Sequence, residues 1–240
     1  MKNFTKITMT MFALGVAACT QAGATGDMDR KQVEAIIQSY LMENPEIIRD
    51  AMIALNEKEE REALEAVKKD IYKDKRDPVI GPNNAKVTIV EFFDYNCGFC
   101  KQSTEWLQAK VAEYPNDVRV IFKELPLLDG RTKTSKNAAK AALAAAEQGK
   151  YFEMHVALMV ERSLTPDRIN AIAKKTGLDM TAFKKDMADP DFATHIEDNI
   201  DLATQIPMFG GTPFFLINGE HLSGANTERL QALFDSAIGS

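Results

Sequence analysis

Two cysteines, Cys97 and Cys100, enclose Gly98 and Phe99 in the segment FFDYNCGFCKQ. Thiols at this spacing can bind a soft metal ion, form a permanent disulfide, or cycle between dithiol and disulfide in thiol exchange. A permanent disulfide across so short a loop would remove little chain entropy from the unfolded state, because this stabilisation grows with loop length. The spacing therefore favours chemistry over structural bridging.

Metal binding is the weaker of the two chemical interpretations. A structural zinc site has four ligands, commonly a second CxxC or a closely spaced histidine pair. His155, His195 and His221 are isolated from one another, and the third cysteine of the chain, Cys19, lies near its beginning. Binding of a metal through two thiolates stays open as an alternative. In an oxidising compartment, a CxxC with no other cysteine to pair with is most simply a redox couple.

Residues 1–24 have the layout of a secretory signal peptide. Lys2 and Lys6 precede an apolar stretch, and the segment ends in the small residues Ala22-Gly23-Ala24. The apolar stretch is too short for a membrane anchor of about 20 residues. In a competing interpretation, Val16-Ala17-Ala18-Cys19 resembles a bacterial lipobox, so that the signal would extend to residue 18 and Cys19 would be lipidated. Both interpretations predict export to the periplasm, the second with attachment to the outer membrane.

Charge and length narrow the function classes further. The formal net charge of the 240 residues is -6, and the predicted signal peptide removes lysines but no acids. Such an acidic exported protein is a poor candidate for binding nucleic acid or anionic lipid. Roughly 215 residues remain, which is enough for one domain with a sizeable core and an appendage.

The strand that precedes the cysteines contains one unexpected residue. In KVTIVEFFD, from Lys86 to Asp94, apolar side chains fall on both faces, which predicts a central strand buried on both sides. Glu91 is the exception, and an exposed strand end would explain it without function. If Glu91 is instead buried beneath the cysteines, we expect a raised pKa and a role in relaying a proton to or from Cys100.

The helix that follows assigns different roles to the two thiols. Apolar residues at helical spacing predict a helix from Gly98 to Glu113, ended by Pro115. Cys97 then lies at the helix N-terminus, where free backbone N–H groups and the helix dipole favour an anion. We therefore expect Cys97 to have a lowered pKa and to exchange first. Cys100, one turn further in, would be shielded and would resolve the mixed disulfide.

The order of elements predicts an α/β fold. A second strand, VRVIFK, completes a β-α-β unit, and a mostly helical stretch extends from Leu125 to about Pro207. The sheet resumes at GTPFFLIN, followed by the turn dipeptide Asn218-Gly219 and a returning strand from Glu220 to Ser223. A final helix, from Thr227 to Ile238, ends the predicted domain.

Residues 78–240 resemble the DsbA branch of the thioredoxin superfamily, a thioredoxin fold with a helical insertion, here at about residues 127–206. The resemblance rests on three motifs in this order: FFDYNCGFCK, VIFKELP and GTPFFLING. It implies a thiol–disulfide oxidoreductase or disulfide isomerase with Cys97, Cys100 and Glu91 as catalytic residues. It also implies no cofactor beyond the redox-active disulfide, exported client proteins, and a DsbB-like or DsbD-like membrane redox partner.

Substrate contacts follow from the same resemblance. Pro213 matches the family's cis-proline, which would offer the backbone of Thr212 to an extended client segment. Gly98 and Phe99, between the cysteines, are further expected contacts. They replace the Pro-His pair of the best-known oxidases, so Cys97 should be less acidic than in those proteins. CGFC is similar to the ScsC-like branch, some of whose members shuffle wrong disulfides. Lys123 and Glu124 match no catalytic position and are interpreted as a weak surface ion pair.

An N-terminal helical arm is predicted at residues 25–77. One amphipathic helix extends from Asp29 to Met42, and a second extends from Pro45 toward Asp74. The polar middle of the second helix, Asn56 to Glu62, argues against a continuous coiled coil. Its narrow apolar stripes need a partner. Docking on the catalytic domain is one alternative. The resemblance to relatives with oligomerising arms favours a homodimer or homotrimer.

Two function classes therefore remain open. The first is a periplasmic oxidoreductase that introduces or isomerises disulfides through Cys97 and Cys100. The second is a periplasmic chaperone or copper-binding module that uses the same thiols without turnover.

Overall fold

A computed structural model describes residues 29–239 of the chain. The predicted signal peptide, with the lipidation candidate Cys19, lies outside the described residues. The chain divides into two compact units, one up to Ile53 and one from Ala54 onward. This division falls earlier than the predicted boundary between residues 77 and 78.

Among the described residues, helix α1 (Arg30–Glu43) is the first element of the first unit. Its N-terminus is fixed by a capping box, in which the Asp29 carboxylate accepts from the Gln32 backbone N–H at 2.9 Å and the Gln32 side chain accepts from the Asp29 N–H at 3.1 Å. Asn44 ends the helix, and Pro45 separates it from the next one. No side chain of α1 is buried. Nine large apolar side chains among the described residues of this unit are exposed: Val33, Ile36, Ile37, Tyr40, Met42, Ile47, Ile48, Met52 and Ile53.

Helix α2 (Glu46–Lys73) is a single continuous helix, because the polar residues 56–62 are good helix formers and do not interrupt it. Within the second unit, Val67 and Ile71 are buried and join a cluster with Phe92 and Ile121 of the sheet. The C-terminal part of the predicted arm therefore packs on the catalytic domain, as the docking alternative supposes.

The sheet has five strands within the described residues: β1 (Val79–Ile80), β2 (Val87–Phe93), β3 (Val118–Glu124), β4 (Phe214–Ile217) and β5 (Glu220–Ser223). Their order is β1-β3-β2-β4-β5. Strands β2 and β3 are parallel, as the β-α-β unit requires, and the other neighbours are antiparallel. The sequence does not predict β1, since it is only two residues long and is flanked by prolines.

The helices of the second unit are α3 (Gly98–Glu113), α4 (Asp129–Thr132), α5 (Ser135–Ala146), α6 (Tyr151–Val160), α7 (Pro166–Lys175), α8 (Met180–Asp186), α9 (Pro190–Thr204) and α10 (Thr227–Gly239). Helices α4 to α9 form the predicted insertion. Its caps follow local sequence: the Thr165 hydroxyl accepts from the Arg168 N–H at the start of α7, and Pro166 takes the first helical position. No helix in the described part of the chain is both long and apolar enough to cross a bilayer.

Two apolar layers sandwich the sheet. On one face, Val87, Ile89 and Phe93 of β2 pack with α3, α10 and the insertion. Helix α5 contributes a run of buried alanines to the insertion: Ala138, Ala139, Ala141, Ala142, Ala144 and Ala145. On the other face, Val90 and Phe92 of β2 pack with the end of α2 and of α9. We name these the redox face and the back face, because the cysteines lie in the first cluster.

Candidate active site

The two cysteines lie where β2 passes into α3. Cys97 is the N-cap residue of α3, with extended backbone angles, and Cys100 lies in the first turn of the helix. Cys97 is 8% exposed, whereas Cys100 is fully buried. Both are free thiols in this structure. A reagent from solvent therefore reaches Cys97 first.

The pKa of Cys97 is lowered to about 6, mainly by a hydrogen bond with the Cys100 side chain. The backbone N–H groups of Cys100 and Phe99 add to this effect, while burial opposes it. The direction agrees with the expectation from the helix N-terminus. At neutral pH the outer sulfur is therefore mostly a thiolate, the form that exchanges.

The pKa of Cys100 is shifted in the opposite direction from that of Cys97. Burial raises its pKa strongly, and the negative charges of Cys97 and Glu91 raise it further. A thiol that holds its proton this firmly is a poor nucleophile until a base removes that proton. The two sulfurs therefore have distinct properties: that of Cys97 is ionised and the less deeply buried, whereas that of Cys100 is neutral and fully enclosed.

Thr212 and Pro213 lie beside Cys97, as the resemblance implies. The peptide bond between them is cis. In its protonated form, the Cys97 thiol donates a hydrogen bond to the Thr212 carbonyl oxygen at 3.3 Å. The backbone before Pro213 therefore borders the Cys97 sulfur.

Glu91 is fully buried on the redox face, so the alternative of an exposed strand end is wrong. It lies opposite Phe122 of β3 and Phe215 of β4. Neither carboxylate oxygen has a hydrogen-bond partner among the described residues. Burial, and then the negative charge of Cys97, raise the pKa of Glu91 to about 8. Near neutral pH this group can both hold and release a proton.

Asp94 anchors the loop between β2 and Cys97. One of its carboxylate oxygens accepts from the Asn96 N–H at 2.7 Å and the Ser135 hydroxyl at 2.8 Å, and the other accepts from the Leu128 N–H at 2.7 Å. The sequence pattern does not single out Asp94. The signal that could identify it is its position, a polar residue directly after a buried strand and before a cysteine.

Lys101 joins α3 to the C-terminal end of α6. Its ammonium donates to the carbonyl oxygens of Met159 at 3.2 Å and Glu161 at 2.6 Å. Two exposed apolar side chains flank this contact in the sequence: Phe99, 65% exposed, precedes Lys101, and Val160, 69% exposed, lies between Met159 and Glu161. Gly98 has open space where a Cβ would lie, so no steric contact requires glycine there.

Lys123 and Glu124 are not the surface ion pair that the sequence suggested. Both are buried, and they point to opposite faces of the sheet. Lys123 forms an ion pair with Asp77 on the back face and donates to the Asp70 carbonyl. His195 Nε2 lies 3.2 Å from the second Asp77 oxygen. The partners of Lys123 are distant in sequence, whereas the sequence interpretation considered only its neighbour.

Comparison with known proteins places this site in a family. The DSBA-like thioredoxin domain family matches residues 88–235, which is more than half of the chain and includes both cysteines and Pro213. The chain belongs to this family. Residues 29–62, ahead of the DSBA-like domain, match a second family described as the copper resistance protein ScsC N-terminal domain. This match confirms the predicted ScsC-like branch.

Solved structures share the fold of the whole DSBA-like domain. A linker-deletion mutant of Proteus mirabilis ScsC is 28% identical, with a TM-score of 0.69, and the alignment covers 90% of this chain and 99% of that one. A periplasmic thioredoxin-like protein from Salmonella enterica serovar Typhimurium is 31% identical, with a TM-score of 0.64 and coverage of 73% and 97%. These similarities confirm the thioredoxin fold with a helical insertion.

Curated sequences give a different kind of relative. The Na(+)/H(+) antiporter NhaA 3 of Salinispora tropica is 36% identical over 167 residues, which is 69% of this chain and 25% of the antiporter. The chain thus spans about a quarter of the length of this curated relative. Because most of the antiporter lies outside this match, its transport activity is not transferred to this chain.

Proposed function

We propose that this chain is a periplasmic thiol–disulfide oxidoreductase that introduces or isomerises disulfides in exported proteins. The observation that carries the proposal is the difference between the two sulfurs. Cys97 is 8% exposed and has a pKa lowered to about 6, while the fully buried Cys100 has a raised pKa. This difference between the two thiols favours disulfide exchange in two steps. The match to the DSBA-like family and the similarity to the ScsC structures support the same activity.

In the oxidising direction, a client thiolate attacks Cys97 Sγ of the Cys97–Cys100 disulfide. The bond to Cys100 breaks, its electron pair goes to Cys100 Sγ, and a mixed disulfide joins the client to Cys97. A second client thiolate then attacks the client sulfur, and Cys97 leaves as a thiolate. The client loses two electrons and gains a disulfide, and the enzyme ends as the dithiol.

The proton for Cys100 comes from Glu91 in this scheme. A thiolate on Cys100 is disfavoured by burial, so it takes up a proton when the disulfide opens. Glu91, with a pKa of about 8, holds a proton at neutral pH and is buried on the same face. In the reverse step Glu91 receives the proton, which lets Cys100 attack the mixed disulfide.

In the isomerising direction, the Cys97 thiolate attacks a wrong client disulfide directly. A client thiol then resolves the mixed disulfide into a different pairing, with no net change in electrons. The exposed apolar side chains of residues 33–53 support assembly into a homodimer or homotrimer, because exposed apolar area of this extent favours self-association. Several active sites would raise the effective concentration around one client.

Client binding in this proposal uses the rim of the site. The Thr212 backbone next to cis-Pro213 pairs with an extended client segment, and the exposed Phe99 ring with Gly98 contacts its side chains. No cofactor is needed besides the redox-active disulfide. A DsbB-like or DsbD-like membrane protein would restore the oxidised or reduced state, respectively. The similar protein from Salmonella enterica is described as periplasmic, which supports the proposed location of this chain.

The proposal is tested by insulin reduction and by refolding of scrambled ribonuclease. We expect the unaltered protein to accelerate at least one reaction, and Cys97→Ala to abolish the acceleration. The matched variant Cys100→Ala should instead accumulate mixed disulfides with client proteins, because the resolving thiol is missing. Absence of acceleration and of trapped adducts would contradict the proposed enzyme activity.

A second candidate is a periplasmic chaperone or copper-binding module. It is favoured by the N-terminal match, whose family is named for copper resistance. Two soft thiolates would ligate Cu(I). Within residues 29–239, no group of three or more histidine, cysteine or acidic side chains is arranged to hold a metal. Competition titration of Cu(I) against a chromophoric chelator distinguishes this role, since a pure binder retains copper but does not turn over disulfides.

A further inference from the structure

Glu124 is a buried acid that the proposed exchange chemistry does not use. It ends β3 and is only 1% exposed. Its Oε1 atom accepts from the Tyr151 hydroxyl at 2.9 Å and the Tyr95 hydroxyl at 3.1 Å. Its Oε2 atom is buried and has no partner among the described residues. Lys123, its neighbour in sequence, points away and pairs with Asp77.

The groups around Glu124 are all without positive charge. The Tyr95 hydroxyl also lies 3.1 Å from His155 Nδ1. His155 is fully buried, and burial lowers its pKa to about 3, so the imidazole is neutral. The cluster therefore contains two phenols, a neutral imidazole and one carboxyl group. Phe93 and Phe122 contact the imidazole with ring centroids 4.9 and 4.8 Å away, which excludes water from this side.

An ionised carboxylate in this cluster would lack a countercharge. Burying an unpaired charge costs several kcal/mol, so such a group keeps its proton instead. Burial raises the pKa of Glu124 well above its ordinary value, and the negative charges of Asp94 and Glu91 raise it further, against the two tyrosine hydrogen bonds. The carboxyl group is then a neutral member of a hydrogen-bonded network.

We propose that Glu124 is a positioning residue for the redox pair: as an uncharged carboxylic acid, it ties Tyr95, in the loop before Cys97, to Tyr151 of the insertion. The inference rests on the proposed redox function. Tyr95 adjoins Asp94, whose carbonyl accepts from the Cys97 N–H at 3.0 Å. The network thereby fixes the residue from which α3 begins, and with it the N–H groups that stabilise the Cys97 thiolate.

The test compares Glu124→Gln with Glu124→Leu in the reduced protein. Thiolate absorbance against pH gives the pKa of Cys97, and insulin reduction gives the rate. We expect Glu124→Gln, which is neutral and can hydrogen-bond, to keep the Cys97 pKa. Glu124→Leu should raise that pKa by about one unit, which lowers the thiolate fraction about tenfold below both pKa values. If Glu124→Leu does not fold, Tyr95→Phe removes the same bond and should shift the pKa in the same direction.

Two results would overturn the inference. A Cys97 pKa that falls clearly in Glu124→Gln would mean that the wild-type residue is ionised, because a nearby negative charge has been removed. An unchanged Cys97 pKa in both Glu124→Leu and Tyr95→Phe would mean that the network positions nothing. Neither measurement needs client turnover, so failure of the proposed function is recognised separately by the absence of insulin reduction in the unaltered protein.

An infrared measurement checks the protonation state directly. In a Glu91→Gln background, which lacks the carboxyl group of Glu91, we expect a protonated-carboxyl C=O band at neutral pH that disappears in Glu91→Gln/Glu124→Gln. Its absence from the Glu91→Gln protein would contradict the uncharged state of Glu124.

Discussion

The two faces of the central sheet handle buried charge in different ways. On the back face, Lys123 is neutralised by Asp77, and His195 lies beside that carboxylate. On the redox face, Glu91 and Glu124 are equally buried, but neither forms an ion pair within residues 29–239. Consecutive residues of β3, Lys123 and Glu124, therefore belong to two different electrostatic environments.

Buried charged groups on the back face have a structural role, whereas the buried acids on the redox face are suited to proton transfer. A buried ion pair holds two segments in a fixed relation through opposite charges, here β3 and the segment that follows α2. An unpaired buried acid is neutralised by a proton, which it can release when its surroundings change. Only the second arrangement is useful next to a thiol that must gain and lose a proton in each cycle.

The largest effect is expected from breaking the back-face pair. Lys123→Met leaves Asp77 as a buried charge without its cation, which should lower the free energy of unfolding by about 3–5 kcal/mol. Urea unfolding measures this loss. The pKa of Cys97 should not change, because Lys123 lies on the other face of the sheet.

The exposed pair of Lys136 and Glu197 provides the matched control. Lys136→Met should cost less than about 1 kcal/mol, as is usual for surface ion pairs. The double variant Lys123→Met/Asp77→Leu should recover much of the lost stability. Equal losses in Lys123→Met and Lys136→Met would show that the back-face pair has no special structural role.

Glu91→Gln should change how stability depends on pH. The unfolded chain releases this proton near the ordinary pKa of 4.5, whereas the folded protein keeps it until about pH 8. The Glu91 proton therefore stabilises the folded state fully below pH 4.5, and this stabilisation is lost as the pH rises to about 8. We expect the stability of the reduced wild type, relative to Glu91→Gln, to fall by up to about 1.4 kcal/mol per pH unit in that window.

Urea unfolding at a series of pH values tests this slope. Glu220→Gln, at an exposed position of β5, is the control and should leave the pH dependence of the wild type unchanged. Parallel curves for the wild type and Glu91→Gln between pH 4.5 and 8 would show that Glu91 is not a proton-holding group in the folded protein.

The smallest effect concerns Lys101, which is neither ion-paired like Lys123 nor isolated like Glu91. Its ammonium is held by backbone carbonyls at the C-terminal end of α6. A cation in this position stabilises the helix end by up to about 2 kcal/mol when partly buried. Lys101→Met should therefore lower the free energy of unfolding by about 1 kcal/mol in urea. Lys69→Met, at an exposed position of α2 before its last turn, serves as control. An equal loss there would show that the carbonyl oxygens at the end of α6 do not stabilise Lys101.

The elements that depend on local sequence were predictable. The helix after Cys97 and the start of α7 follow from apolar spacing and from Thr165-Pro166. Glu91 was also identifiable, since one acid in a strand with apolar residues on both faces calls for an explanation. The family resemblance was needed for cis-Pro213, because sequence alone favours a trans bond.

The parts that could not be predicted depend on contacts between distant segments. Lys123 pairs with Asp77 and Glu124 bonds to Tyr151, so their burial is not visible from the two residues themselves. The anchoring of the redox loop by Asp94 has the same origin, as its partner Ser135 belongs to the insertion. Strand β1 was missed for a different reason, because two residues contain no periodicity.

The alanine-rich face of α5 limits how this protein can diverge. Methyl side chains have no rotamers to rearrange, so neighbouring helices approach its backbone closely and a longer side chain would meet occupied space. Homologous insertions should accordingly accumulate substitutions at their periphery, while the buried alanine positions of α5 tolerate little beyond glycine, alanine and serine. The helix of the insertion with the smallest buried side chains is therefore the one that accepts the fewest substitutions.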